Sequence, residues 1–288
     1  MVSALAGSAW AQEEGDPCGG DAGMEGEGEG MGEAEAMPEE SAPAEAADGA
    51  DMGGKPPMIL AKGKLAVNVP IGISLSTDAV AKPIAIAPDV WYGVAPKLEA
   101  GLAHSNMSIT GFWFQGFGSG LCLTGEDNGC AELYNGPIGL LAHYTLMEGN
   151  LDLAADGGVL INTLDPMALG LKVGVMGRYI SGKIAVHFQP NLTIGLTERD
   201  FNKEALYVPV TLGYMVSEKL HAGLQTGIYG PLDGFGDFFG IPLGVGAMFM
   251  VNESIGVAGS FNFIQLAGGS DAAGADFRDL TLAVMWHN

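Results

Sequence analysis

From Gly63 to the C-terminus, apolar residues alternate with polar or small ones in segments of about 10–15 residues, broken by short turn signals. A period of two marks strands whose two faces meet different media. After the Ser181-Gly182 turn one face reads Ile184, Val186, Phe188, Pro190, Leu192, Ile194 and Leu196. The other reads Lys183, Ala185, His187, Gln189, Asn191, Thr193 and Gly195. Frequent glycine inside the segments disfavours long helices. No apolar run reaches the roughly 18 residues of a helical membrane span.

An aromatic register is laid over this alternation. Tyr92, Tyr144, Tyr179, Tyr214, Phe249 and Trp286 each close an apolar strand, and the last four steps are 35, 35, 35 and 37 residues. Five turns follow, at Ala95-Pro96, Glu148-Gly149, Ser181-Gly182, Ser217-Glu218 and Asn252-Glu253. After each comes an aliphatic residue: Leu98, Leu151, Ile184, Leu220 or Ile255. The unit that repeats is one β-hairpin.

A soluble sandwich also alternates, but its strands average about 5–6 residues, and it has no use for a ring of aromatics at one level. A bilayer does. Unpaired backbone groups are not tolerated in lipid, so a spanning sheet must close on itself. About 9–11 tilted residues cross the hydrocarbon, and aromatic girdles mark its edge. None of the proposed lipid-facing sets holds Asp, Glu, Lys or Arg. Twelve strands are expected, at roughly 63–76, 83–94, 97–112, 136–147, 150–163, 168–180, 182–197, 204–215, 218–229, 238–251, 254–266 and 277–287. The expected fold is thus all-β: a closed antiparallel transmembrane β-barrel of about 12 strands over 58–288, preceded by a disordered acidic segment.

On these features the chain resembles the bacterial outer-membrane β-barrel superfamily, porin-like and OmpA-like members included, over about residues 60–288. The closing strand Leu280-Thr281-Leu282-Ala283-Val284-Met285-Trp286 resembles the family's C-terminal assembly signal, with His287 and Asn288 added where the family usually ends on the aromatic. The resemblance implies an outer-membrane location in a Gram-negative envelope. It implies short turns, both termini and the acidic segment on the periplasmic side, long loops outside, and the bilayer and the barrel-assembly machinery as partners.

The chain carries 34 Asp+Glu against 12 Lys+Arg, a net charge of −22, which excludes a nucleic-acid binder. Fourteen of the carboxylates lie between Glu13 and Asp51, and no Lys or Arg precedes Lys55. From Gln12 to Pro57 there is no Val, Ile, Leu or aromatic residue. Residues 12–57 therefore lack the apolar surface to offset chain entropy and are expected to be disordered. They read as a solvated spacer, the alternative being a weak cation- or partner-binding segment whose periplasmic partners the sequence does not identify. Residues 1–11 end in Ala9-Trp10-Ala11, a cleavage-type pattern with no basic n-region. They are expected to be the remnant of a signal peptide whose start lies upstream.

Cys122 and Cys130 flank a Gly-rich turn in the longest loop and are expected to form a disulfide in an oxidising compartment. A thiolate metal site is the alternative, and Cys18 is left unpaired. The same loop opens with Phe112-Trp113-Phe114-Gln115-Gly116-Phe117, either upper girdle or a constriction. The expected lumen-lining residues are Lys64, Asp89, Glu99, His143, Asp152, Asp156, Lys172, Arg178, Lys183, His187, His221 and Gln225. Their four acids and four bases suit a weakly selective pore or internal salt bridges. Inward Gly139, Gly170, Gly174, Gly223, Gly227, Gly244, Gly246 and Ala258 suit open space or close packing. His104-Ser105 are adjacent and face opposite ways, which disfavours a lipase pair. Arg199-Asp200 and Arg278-Asp279 are expected as loop ion pairs. No cofactor, catalytic or metal motif is found. The expected function is a passive pore for small solutes. A structural barrel with a blocked lumen is the alternative, and an outer-membrane hydrolase the least favoured reading.

Overall fold

A computed structural model describes residues 57–77, 82–104, 120–130, 133–269 and 274–288. Residues 1–11, nearly all of 12–57 and the Phe112–Phe117 aromatics, with what is expected of them, lie outside these. Sixteen strand segments follow one another: β1 Leu65–Ser74, β2 Ile84–Ile86, β3 Asp89–Ala95, β4 Leu98–Ala103, β5 Gly120–Cys122, β6 Tyr134–Asn135, β7 Ile138–Met147, β8 Leu151–Thr163, β9 Ala168–Ser181, β10 Ile184–Phe188, β11 Asn191–Gly195, β12 Ala205–Met215, β13 Leu220–Pro231, β14 Gly240–Met250, β15 Ile255–Gly268 and β16 Arg278–His287. One short helix, Phe235–Phe238, precedes β14.

Every pairing is antiparallel, and β1 pairs with β16 from Ala66↔His287 to Ser74↔Asp279, so the sheet is a closed barrel of twelve staves. Four segments share staves with others. The expected strand 83–94 is broken at Ala87-Pro88, and β1 pairs with both of its halves. The expected strand 182–197 is broken at Gln189-Pro190, and both β10 and β11 lie between β9 and β12. Proline has no N–H to give the ladder, so each break falls beside one. Of the expected strand 97–112, β4 covers Leu98–Ala103, and residues 105–112 lie outside the described ones. The upper part of its stave is taken by β5, which pairs with β2, and β6 lies next to β5, leading into β7.

The aromatic register becomes a belt. The aliphatic residue after each turn stands directly opposite the aromatic of the next hairpin: Leu98↔Tyr144, Leu151↔Tyr179, Ile184↔Tyr214, Leu220↔Phe249 and Ile255↔Trp286. Leu65↔Tyr92 and Val67↔Trp286 complete the circle across the seam. The six aromatics are 39–51% exposed and point outward. A repeat of 35 residues is thus one hairpin's advance around the barrel at constant height. The belt lies at the end that carries the five short turns, the start of β1 and the end of β16. Above it Leu140, Val173, Leu212, Val245, Leu282 and Val284 also face outward and exposed, while their strand neighbours turn inward. An apolar outside over a polar inside inverts the soluble arrangement.

Candidate functional site

The candidate site is the lumen, and its two sides differ. On the β3–β10 side it is filled by a charged network. Glu99, His143 and Asp156 occupy directly paired positions on β4, β7 and β8. His143 Nδ1 lies 2.8 Å from Glu99 Oε1, and its Nε2 lies 3.3 Å from Asp156 Oδ1. Asp156 Oδ2 accepts from Lys172 Nζ at 2.8 Å and from Gln189 Nε2 at 2.8 Å. A separate pair sits nearer the belt, where Arg178 Nε and Nη2 both donate to Asp152 Oδ2, at 3.0 and 2.7 Å. The second oxygen of Asp152 accepts from the Gly149 N–H and so fixes the adjoining turn. Each of these side chains is buried, and each charge meets an opposite charge or a donor, which is the condition for keeping ions out of water.

A segment of the chain itself fills the rest of this side. Met58, Ile59 and Leu60 are 3–7% exposed. Met58 and Ile59 belong to a buried apolar cluster with Ala154 and Met176, and Leu60 to one with Ala66, Trp91, Ala103, Leu141 and Leu160. The Leu60 N–H donates to Glu99 Oε2 at 2.6 Å, which links this plug to the network. Two glycines on the wall make room. A Cβ on Gly93 would stand 1.9 Å from the Ala61 carbonyl oxygen, and one on Gly101 2.6 Å from the Trp91 ring. Trp91 in turn stacks on His143, centroids 4.4 Å apart at 22°.

The β10–β16 side is open. A cavity of about 70 Å³ is lined by Ala185, Gly213, Gly223, Gly246 and Ala258, among which stand His187, Thr211, His221 and Gln225. The expected inward small residues are thus split: Gly223, Gly246 and Ala258 border space, whereas Gly174 packs under Asn191 and Gly244 under Asn262.

Of the twelve residues expected to line the lumen, Asp89, Glu99, His143, Asp152, Asp156, Lys172, Arg178, His187, His221 and Gln225 are buried on inward positions. Lys64 and Lys183 are exposed. They lie in turns past the last rungs, where the inward phase carries a long side chain to the rim, Lys183 at the mouth of the open side. The expected loop pairs also differ. Arg199 Nη1 meets Glu204 Oε1 at 2.6 Å rather than Asp200, and its hydrogen bond holds the Glu204 carboxyl below the usual range. Arg278 Nε donates to the Leu75 carbonyl at 2.8 Å, while Asp279 turns inward to accept from Asn262 Nδ2 at 2.8 Å. Neighbours on a strand face opposite ways, which separates Arg278 from Asp279.

Charge counting by residue type missed the neutral polar lining of Asn68, His104, Ser260, Asn262 and Thr281, all buried, while Gln189 and Asn191, read on the polar face, are buried as well. Their inward phase was the available signal. His104 donates its backbone N–H to Asp89 Oδ1 at 2.8 Å, and its Nε2 contacts the Tyr134 hydroxyl. Ser105 lies outside the described residues. The plug was missed as well, although Ile59 and Leu60 are the first aliphatic residues after a long stretch without any. Cys122 and Cys130 are joined across the 3-10 turn Glu126–Asn128, Cα atoms 5.8 Å apart.

No family model and no curated protein matches the sequence. Solved structures do match in shape. A NanC porin aligns over 76% of this chain and 97% of its own, at 6% identity and a TM-score of 0.52. A KdgM porin in complex with disordered oligogalacturonate aligns over 77% and 98%, at 6% identity and a TM-score of 0.48. Salmonella typhi OmpF, in complex with daunomycin, aligns over 78% and 97%, at 11% identity and a TM-score of 0.39. At 6% identity the likeness is one of fold: the chain shares the barrel architecture of the NanC porin.

Proposed function

We propose that this chain is a barrel of the bacterial outer membrane that passes small solutes along the open side of its lumen. Its short-turn end and both its termini face the periplasm. The observation that carries this reading is the cavity against the β10–β16 wall, where glycine and alanine replace the side chains that fill the opposite half. Supporting it is the outward apolar face with its belt, which suits a bilayer and no aqueous surroundings. The lumen's partners in this reading are small solutes, and the assembly machinery inserts the barrel. The acidic N-terminal segment acts in the periplasm as a spacer. A disulfide between Cys122 and Cys130 belongs with export.

Among the described residues, the buried inward charges are five carboxylates, Asp89, Glu99, Asp152, Asp156 and Asp279, against Lys172 and Arg178. Glu99, Asp152 and Asp156 are paired with His143, Arg178 and Lys172, so the field left at the open side is weak and negative. In planar bilayers the purified protein is expected to give ohmic conductance with a mild preference for potassium over chloride in a salt gradient. Silence at every voltage and salt concentration would sink the pore reading.

A second reading, a structural barrel with a closed lumen, is favoured by one observation, the Met58–Leu60 plug. The same bilayer measurement separates the two.

A further inference from the structure

On the β12–β16 side of the barrel, sulfur is confined to the inside. Outward positions carry Leu, Val, Ile, Phe and other non-sulfur residues, as in Leu212, Leu224, Val245, Val257 and Leu282. Inward, at the height of the belt, the large apolar positions are methionine. Met215 follows Tyr214, Met248 and Met250 flank Phe249, and Met285 precedes Trp286. Each therefore points opposite to its aromatic neighbour. Met248, Met250 and Met285 pack together, 3–4% exposed.

His221 stands among them. It is directly opposite Met215 on one neighbouring strand and Met248 on the other. Residues so placed hold their Cβ atoms about 4.5–5.5 Å apart. The imidazole is also hydrogen-bonded to the Glu218 backbone, the kind of anchor that orients metal-bound histidines. Met215, His221, Met248 and Met285 all line the open cavity.

Filling space does not call for sulfur, since leucine and valine do so on the outer face of these same strands. Thioethers are soft ligands that select Cu(I)-type ions over hard cations, and imidazole is compatible with them. The set is neutral, so it suits a monovalent ion, and the carboxylates elsewhere in the lumen draw cations in.

We propose that Met215, His221, Met248 and Met285, backed by Met250, form a binding site for a soft monovalent metal ion, Cu(I) or Ag(I), on the inner wall at the short-turn end. The site goes beyond the pore reading, because an ion can bind here whether or not the lumen conducts.

The test is a silver titration of the full chain folded in detergent, in chloride-free buffer. Bound silver is counted after desalting in the wild type and in the double variant Met248→Leu, Met285→Leu. Leucine preserves the apolar volume and removes the ligand. Silver held elsewhere on the chain is common to both proteins, so the difference isolates this wall. The variant is expected to keep the heat-dependent gel mobility of a folded barrel and to bind one silver fewer per chain. An unchanged count in a folded variant overturns the proposal. If the variant does not fold, methyl-labelled methionine spectra of the wild type decide. Silver-induced shifts of the Met248 and Met285 methyl signals support the site, and their absence overturns it. Conductance plays no part in either readout, so failure here and failure of the pore reading are distinguishable.

Discussion

Replacing Lys172 with methionine is expected to lower the unfolding free energy by about 3–5 kcal/mol, the usual cost of stranding one member of a buried ion pair. Lys172 is 3% exposed, and its ammonium lies 2.8 Å from Asp156 Oδ2. Without it the carboxylate keeps only the Gln189 amide and the His143 ring beside it. The lost cation is replaced by no water, because the site is closed by its neighbours. Adding Asp156→Asn to the same chain is expected to recover much of the loss, since the amide carries no charge to strand. Denaturant unfolding in lipid vesicles measures both. A single variant within about 1 kcal/mol of wild type, the range of an exposed ion pair, would mean that water reaches the network and that this half of the lumen is not sealed.

Exchanging Met58, Ile59 and Leu60 together for glycine is expected to raise single-channel conductance several-fold. These side chains hold the plug in place, each contributing about 1.5–3 kcal/mol when fully buried. Only the Leu60 N–H bond to Glu99 and the backbone bonds around Gly63 and Gly93 would remain, and they are too few to keep a glycine segment ordered. The channel should also become noisier as the freed segment moves in and out. Recordings of the variant beside wild type measure this. Equal conductance in the two would show that the plug lies off the conducting path, with solutes using the Gly213–Gly223 side alone.

Much of this architecture is legible in the sequence, because the two faces of each strand answer to different media. The spacing of Tyr144, Tyr179, Tyr214 and Phe249 gives the hairpin repeat, and the phase of the apolar set tells which way each aromatic points. The cross-strand match of Leu151 to Tyr179, or Leu220 to Phe249, follows from that repeat. What local pattern cannot convey is which inward residues meet across strands. The Glu99–His143–Asp156–Lys172 series joins positions 73 residues apart through register alone. Phase also says nothing about height, which is why Lys64 and Lys183 are inward by count yet exposed at the rim. Met58-Ile59-Leu60 has no periodicity to read, since it is neither strand nor helix and takes its place from the Gly93 gap in the facing wall. Asp279 shows the reverse case: beside Arg278 it suggests a pair, but the alternation that identified the strand already places the two on opposite faces.

In a membrane, β14 and its neighbours are expected to turn an apolar face to lipid and the alternate face to the lumen. Spin labels placed singly at each position from 241 to 250 of the folded protein in vesicles test this most directly, through collision with oxygen, which concentrates in lipid, and with a water-soluble nickel complex. Oxygen contact should peak at Ile241, Leu243, Val245, Ala247 and Phe249 and fall at the positions between them. Equal nickel access at both sets, or an oxygen profile without a period of two, would contradict the barrel's placement in a membrane.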